Sequence, residues 1–239
     1  MKNTYFKTSF ASSRLDLVAT AKPYNDIAML KPYALYYFGG DESSLVSING
    51  NKSLQVMSPE TTSYTKDSVI ISPHTGKHLA SDMTDSGSVT VITRLKTTTT
   101  SLKIFFGNLK DSADPNSSGW GVFTTSAKLY LTLWSASGTR PISSLDIGAT
   151  IDINNYFTVA VSINKSNGSV VFYAEVNGIE YTKTEDIGGG YVGDGDNVAV
   201  GSSSYGVVTP SGEIEYDYFA MYDKVLDVNE IKSVISEIG

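Results

Sequence analysis

The sequence predicts an all-β protein, an antiparallel sandwich or barrel with one short C-terminal helix. Three observations carry this. The chain is rich in Ser, Thr, Gly, Tyr and Val, which favour strands and turns. Several segments alternate apolar and polar side chains, the period of a strand with one buried face. Between them lie short runs dense in Gly, Asn, Asp and Ser, as expected where successive antiparallel strands reverse.

Taken in order, residues 1–30 show weak periodicity and are expected to form an N-terminal arm or docking segment, leaving 31–239 as the domain proper. The alternating segments are SVTVITRL (88–95), SLKIFF (101–106), KLYLTLW (128–134), YFTVAVSI (156–163) and SVVFYAEV (169–176). The turn signals between them are DSADPNSSGWG, SASGTRP, NKSNG, VNG and GGGYVGDGDN. In the hairpin VSINKSNGSVVFY, Asn167-Gly168 is expected to form a tight corner, because positive φ costs these residues little. The helix is the last element: Asp227 caps it, Glu230 completes a capping box, and Val228, Ile231, Val234 and Ile235 form its apolar face.

Composition narrows the function. The 239 residues, 41% of them apolar, suffice for a substantial core. The net charge of −7 and the lack of a basic run argue against nucleic acid, whose phosphates require clustered Lys and Arg. Without cysteine there is no disulfide, no thiolate metal site and no cysteine nucleophile. No segment approaches the roughly 18 consecutive apolar residues that would cross a bilayer. Nor does the N-terminus contain an apolar run suited to a signal peptide, so the expected location is a virion or an extracellular surface reached without the usual secretion route. The four N-x-S/T sequons, at Asn51, Asn116, Asn164 and Asn167, are read as compositional coincidence.

The residues that could carry chemistry are few. His74 and His78 have helical spacing, but Pro73 and Gly76 between and beside them indicate a loop, and both are expected as surface residues. The glycine-rich stretch 186–197 lacks the Gly-Lys-Ser/Thr ending of a phosphate-binding loop. Glu213, Glu215 and Asp217 alternate in EIEYDY and would share one face of a strand. That row is a catalytic apparatus, a cation site or a solvated face, and the solvated face is the preferred reading.

From residue 156 onward the order of segments resembles the laminin-G-like, concanavalin A-like jelly rolls. The hairpin YFTVAVSINKSNGSVVFYAEVNG (156–178) places Tyr156, Val159-Ala160 and Asn177-Gly178 at family positions. NVAVGS (197–202) resembles the short strand that follows, and YDYFAMYDKVLDVNEIK (216–232) the closing strand and helix, with Asp217, Tyr222, Lys224, Leu226 and Glu230 in register. ALYYFGG (34–40) resembles the opening strand. The resemblance implies two antiparallel sheets in a jelly-roll sandwich, with binding loops at the rim. It does not fix function, because lectins, adhesion modules, hydrolases and inert spacers share the fold.

Glycanases of this superfamily carry Glu-x-Asp-x-Glu on one strand, one carboxylate attacking the sugar and the other protonating the leaving group. Here the order is Glu-x-Glu-x-Asp, and it stands at the closing strand rather than mid-chain. In the laminin-G-like register only Asp217 falls on a family position, where it would accept backbone or hydroxyl hydrogen bonds. The resemblance also makes Ca²⁺ a candidate ligand for Asp194, Asp196 and Asn197, although an Asp- and Gly-rich turn explains the same residues. Trp120, between two glycines, is either a sugar-stacking platform or the start of a strand, and Trp134 is expected in the core. Tyr191 and Tyr205 sit in loops that the fold would bring together. The candidate ligand-binding set is therefore Trp120, Tyr191, Asp194, Asp196, Asn197 and Tyr205, with no catalytic residue and no cofactor required. The expected function is a non-enzymatic structural or adhesion module, such as a bacteriophage tail fibre, receptor-binding protein or capsid decoration. Its expected partners are a glycan or host-surface receptor, other virion subunits and copies of itself, for instance in a trimer. The alternative is a jelly-roll glycan hydrolase or lyase.

Overall fold

A computed structural model describes residues 31–48, 52–73, 78–84, 88–109, 118–135, 139–188, 197–202 and 212–239. The predicted arm, residues 1–30, lies outside them. The described chain forms two antiparallel sheets. Sheet A contains β1 (Ala34–Tyr37), β3 (Thr62–Tyr64), β4 (Val69–Ile71), β6 (Val89–Thr97), β11 (Phe157–Asn164), β12 (Ser169–Val176), β13 (Ile179–Asp186) and β15 (Ile214–Tyr222). Their order is β13-β12-β11-β6-β15-β4-β3, and β1 lies beyond β4 along the same side of β15. Sheet B contains β2 (Gln55–Val56), β5 (Leu79–Thr84), β7 (Lys103–Gly107), β8 (Gly119–Thr125), β9 (Lys128–Trp134), β10 (Ile142–Thr150) and β14 (Asn197–Val200). Its order is β10-β9-β8-β7-β14-β5-β2. This is the predicted jelly-roll sandwich, with helix α1 (Val228–Ile238) at the C-terminus.

Strand alternation divides the apolar residues of sheet A into two cores. Val159, Val161 and Ile163 of β11 and Phe172 and Ala174 of β12 face sheet B. Ala160 and Tyr173 face the other way, where Ile231, Val234 and Ile238 of α1 cover them. Sheet A is thus a middle layer. Aromatic contacts link it to sheet B: Phe106 of β7 meets Phe219 of β15 edge-on, with ring centroids 5.7 Å apart, and Phe105 meets Phe157 at the same distance. Two consecutive phenylalanines can both point inward because β7 bulges between Ile104 and Phe106.

The predicted helix boundary is reproduced. Asp227 accepts from the N–H groups of Asn229 and Glu230, and the Glu230 carboxylate accepts from the Asp227 N–H. The predicted corner moves. Asn164 Oδ1 accepts from the N–H groups of Ser166 and Asn167, forming an Asx turn that lengthens the loop, and within it only Gly168 has positive φ. The two-residue corner is instead Asn177-Gly178, with φ of 54° and 74°, joining β12 directly to β13.

Candidate functional site

The acidic row lies on the outer face of sheet A, beyond the area that α1 covers. Along β15, Ile214 and Tyr216 face the inner core, and so do Phe219 and Met221. The phase slips by one residue because β15 bulges at Asp217: Tyr216 opposes Leu95, Tyr218 opposes Arg94, and Asp217 opposes nothing on β6. The bulge coincides with a change of partner on the other side of β15, from β4 to β1, where the Asp217 carbonyl accepts from the Phe38 N–H.

Cations from β6 meet this row. Lys96 lies opposite Glu215 and its ammonium is 2.9 Å from Glu215 Oε2. Arg94 Nη1 donates to Asp217 Oδ2 at 2.7 Å. Ser68, just before β4, and Tyr156, just before β11, both donate to Glu215 Oε1 at 2.7 Å. The Arg94 guanidinium and the Lys96 ammonium each lie 4.8 Å from the centre of the Tyr156 ring, within cation–π range. Four neighbouring strands thus supply one network. Arg94 is its most open member, its side chain 40% exposed against 19% for Glu215.

Burial by itself would raise the Glu215 pKa, but hydrogen bonds from Lys96, Ser68 and Tyr156 outweigh it and hold the carboxyl below its usual range. The Tyr156 hydroxyl is pushed up, first by burial and then by its hydrogen bond to Glu215 and the nearby negative charge. Neither is poised as an acid near neutral pH. A glycosidase needs one carboxylic acid whose pKa is raised so that it keeps its proton. Glu213, the third carboxylate, is exposed and accepts a 3.3 Å hydrogen bond from Ser72. The row is therefore a charge-paired surface, close to the solvated-face reading. Two details differ. Asp217 accepts from a guanidinium rather than from backbone or hydroxyl groups, and Glu215 is the centre of a network rather than an ordinary surface residue.

Trp120 belongs to the core. Its side chain has no exposed surface and meets Phe106 edge-on at 6.0 Å, so no sugar can stack on it in this conformation. Its backbone is clamped as well: the carbonyl accepts from the N–H groups of Asn108 and Leu109, and the N–H donates to Asn108 Oδ1. Gly107 and Gly119 make the clamp possible. A Cβ on either would lie 2.2 Å from the Trp120 carbonyl oxygen or 2.6 Å from that of Asn108. Trp134 is buried too, with Arg140 stacked 4.2 Å from its ring. Asn197 is half-buried at the start of β14, opposite Thr84. Tyr191, Asp194, Asp196 and Tyr205 lie outside the described residues, as does His74. His78 is not a surface residue: it is fully buried, with Nε2 2.7 Å from Thr62 Oγ1 and Nδ1 3.4 Å from Thr61 Oγ1. The single turn Pro59–Thr61 brings these hydroxyls to it. Among the described residues no group of three or more His, Asp or Glu could hold a metal ion, and no helix is long and apolar enough to cross a membrane.

Arg94, Lys96, Ser68 and Tyr156 were not singled out from the sequence as site residues. The available signal was the end of alternation after Asp217, where Tyr218 and Phe219 are both apolar, together with two basic residues two apart on the strand TRLK.

No protein-family profile matches the sequence, and no curated protein does. Solved structures do match. The ligand-binding domain of botulinum neurotoxin serotype D, in complex with N-acetylneuraminic acid, superimposes with a TM-score of 0.63 at 12% identity over 88% of this chain. The receptor-binding domain of a botulinum neurotoxin C/D mosaic gives 0.59 at 13% identity over 86%. A heptameric SAP-like pentraxin from Limulus polyphemus gives 0.52 at 17% identity, covering 70% of this chain and 81% of the pentraxin. The chain spans about half the length of the neurotoxin chains it matches, 52% for the first and 51% for the second. At these identities the likeness shows the fold.

Proposed function

We propose that this protein is a non-catalytic recognition module that binds a glycan-bearing surface receptor through the outer face of sheet A. The observation that carries the reading is the pairing of the two half-buried carboxylates: Glu215 with Lys96, Ser68 and Tyr156, and Asp217 with Arg94. Such a network supplies fixed donors and acceptors beside an aromatic ring, which suits a ligand of many hydroxyls, and it supplies no general acid. The likeness to one domain described as ligand-binding and solved with N-acetylneuraminic acid, and to another described as receptor-binding, supports the same reading. Arg94 is the most open member of the network, and one matching domain was solved with N-acetylneuraminic acid, so an acidic sugar is the favoured ligand class.

The proposal extends to placement. The module sits on a particle or cell surface, and the jelly-roll resemblance supports a virion component such as a receptor-binding or decoration protein. The test is co-sedimentation with insoluble polysaccharides and glycan-bearing cells, with reducing ends assayed in the same tubes. Retention without sugar release is expected. Sugar release that disappears in Glu215→Gln would overturn the reading in favour of a hydrolase.

A further inference from the structure

Beyond ligand recognition, the edge of sheet A has the character of a self-association surface. β13 is its terminal strand, eight residues in unbroken register with β12, and most of its side chains are exposed on both faces. The other strands that end a sheet, among the described residues, offer poorer templates. β1, β2 and β3 have four, two and three residues, and β10 departs from regular pairing in two places. The corner at Asn177-Gly178 makes Val176 and Ile179 the first hydrogen-bonded pair of the hairpin. Ile179, Tyr181, Lys183 and Glu185 therefore bond inward to β12. Glu180, Thr182, Thr184 and Asp186 direct their backbone N–H and C=O groups away from the sheet.

We propose that two copies of this chain pair antiparallel through β13, about a two-fold axis at Thr182, making sheet A continuous across the dimer. The side chains select both partner and register. With Thr182 opposite its own copy, Tyr181 faces Lys183, Glu180 faces Thr184 and Ile179 faces Glu185, and no like charges meet. A lysine in mid-edge usually guards a strand against pairing. Here the cation would lie against the partner's tyrosine ring. Centring the axis on Lys183 would set two lysines face to face, and centring it on Tyr181 would shorten the overlap. Ile179, 57% exposed in the single chain, would be covered by the stem of Glu185.

The absence of cysteine from the chain makes the register directly testable. In the full-length protein, Thr182→Cys should give a covalent dimer on mild oxidation, reversed by reductant, because facing Cα atoms of a hydrogen-bonded pair lie about 5.5 Å apart. Lys183→Cys should not, since its own copy would be two positions out of register. The cysteine-free chain should sediment as a dimer, and Thr182→Lys should sediment as a folded monomer whose cooperative thermal unfolding no longer depends on protein concentration. A monomeric cysteine-free chain over a roughly hundredfold concentration range would overturn the proposal, as would crosslinking of Lys183→Cys in preference to Thr182→Cys.

Discussion

At the residue scale, two charged side chains convert position into pH dependence. The Glu215 carboxyl is held below its usual range in the folded chain, so its contribution is complete above the ordinary carboxylate pKa and is lost as pH falls through the folded value. Glu215→Gln should lower stability at neutral pH and flatten the acid limb of a stability profile measured by urea unfolding. Lys103 of β7 is the opposite case. Burial lowers its pKa to about 8, partly offset by the charge of Glu213, and its ammonium donates to the Gly212 carbonyl. The unfolded chain keeps that proton up to about pH 10.5, so stability should rise between about pH 8 and 10.5. Lys103→Met should remove that rise, which comparison of urea midpoints at about pH 7.5 and 9.5 will show. Neither group was legible beforehand. Lys103 opens an alternating strand where a solvated end is the default, and Glu215 looks like any polar residue until Ser68, Lys96 and Tyr156 arrive from other strands.

At the element scale, legibility followed apolar periodicity. β6, β9, β11 and β12 were plain because the apolar side chains they turn to the inner core alternate along each strand. α1 was plain because its cap and its stripe agree, and Asp227→Ala should cost about 1 kcal/mol in thermal or urea unfolding. β13 was invisible: IEYTKTED lies exposed on both faces at a sheet edge, so nothing selects an apolar period. β10 was hidden by its irregular register, which breaks the alternation. The turn between β8 and β9 gave no signal either, because Ser126 and Ala127 adopt φ of 51° and 62° without glycine. The surroundings hold it there: the Ala127 N–H donates to the Thr100 carbonyl and its own carbonyl accepts from Ile151. That conformation costs roughly 1 kcal/mol per residue. The Ser126→Asn, Ala127→Gly pair should therefore raise the unfolding midpoint without altering the fold.

At the scale of the whole molecule, three layers divide the work. Sheet B and the inner face of sheet A share the larger core, while α1 seals part of the outer face of sheet A. The remaining outer face carries the paired charges. The fold was readable because the last third of the chain keeps its segment order, from the 156–178 hairpin to the capped helix. The site was not readable, because its members meet only through the pairing of β4, β15, β6 and β11. The aromatic that drew attention, Trp120, stands between Gly119 and Gly121; Gly119, together with Gly107 of β7, lets the neighbouring backbone clamp it in the core.

On the reading proposed above, this surface recognises a glycan and performs no chemistry on it. The most direct measurement is a glycan array probed with the fluorescently labelled full-length chain and, in parallel, with Arg94→Ala. The account predicts binding to a restricted set of glycans, acidic sugars prominent among them, weakened about tenfold or more in the variant by loss of a charged hydrogen bond. A folded chain that binds no glycan, or a variant that binds the same set equally well, would contradict it.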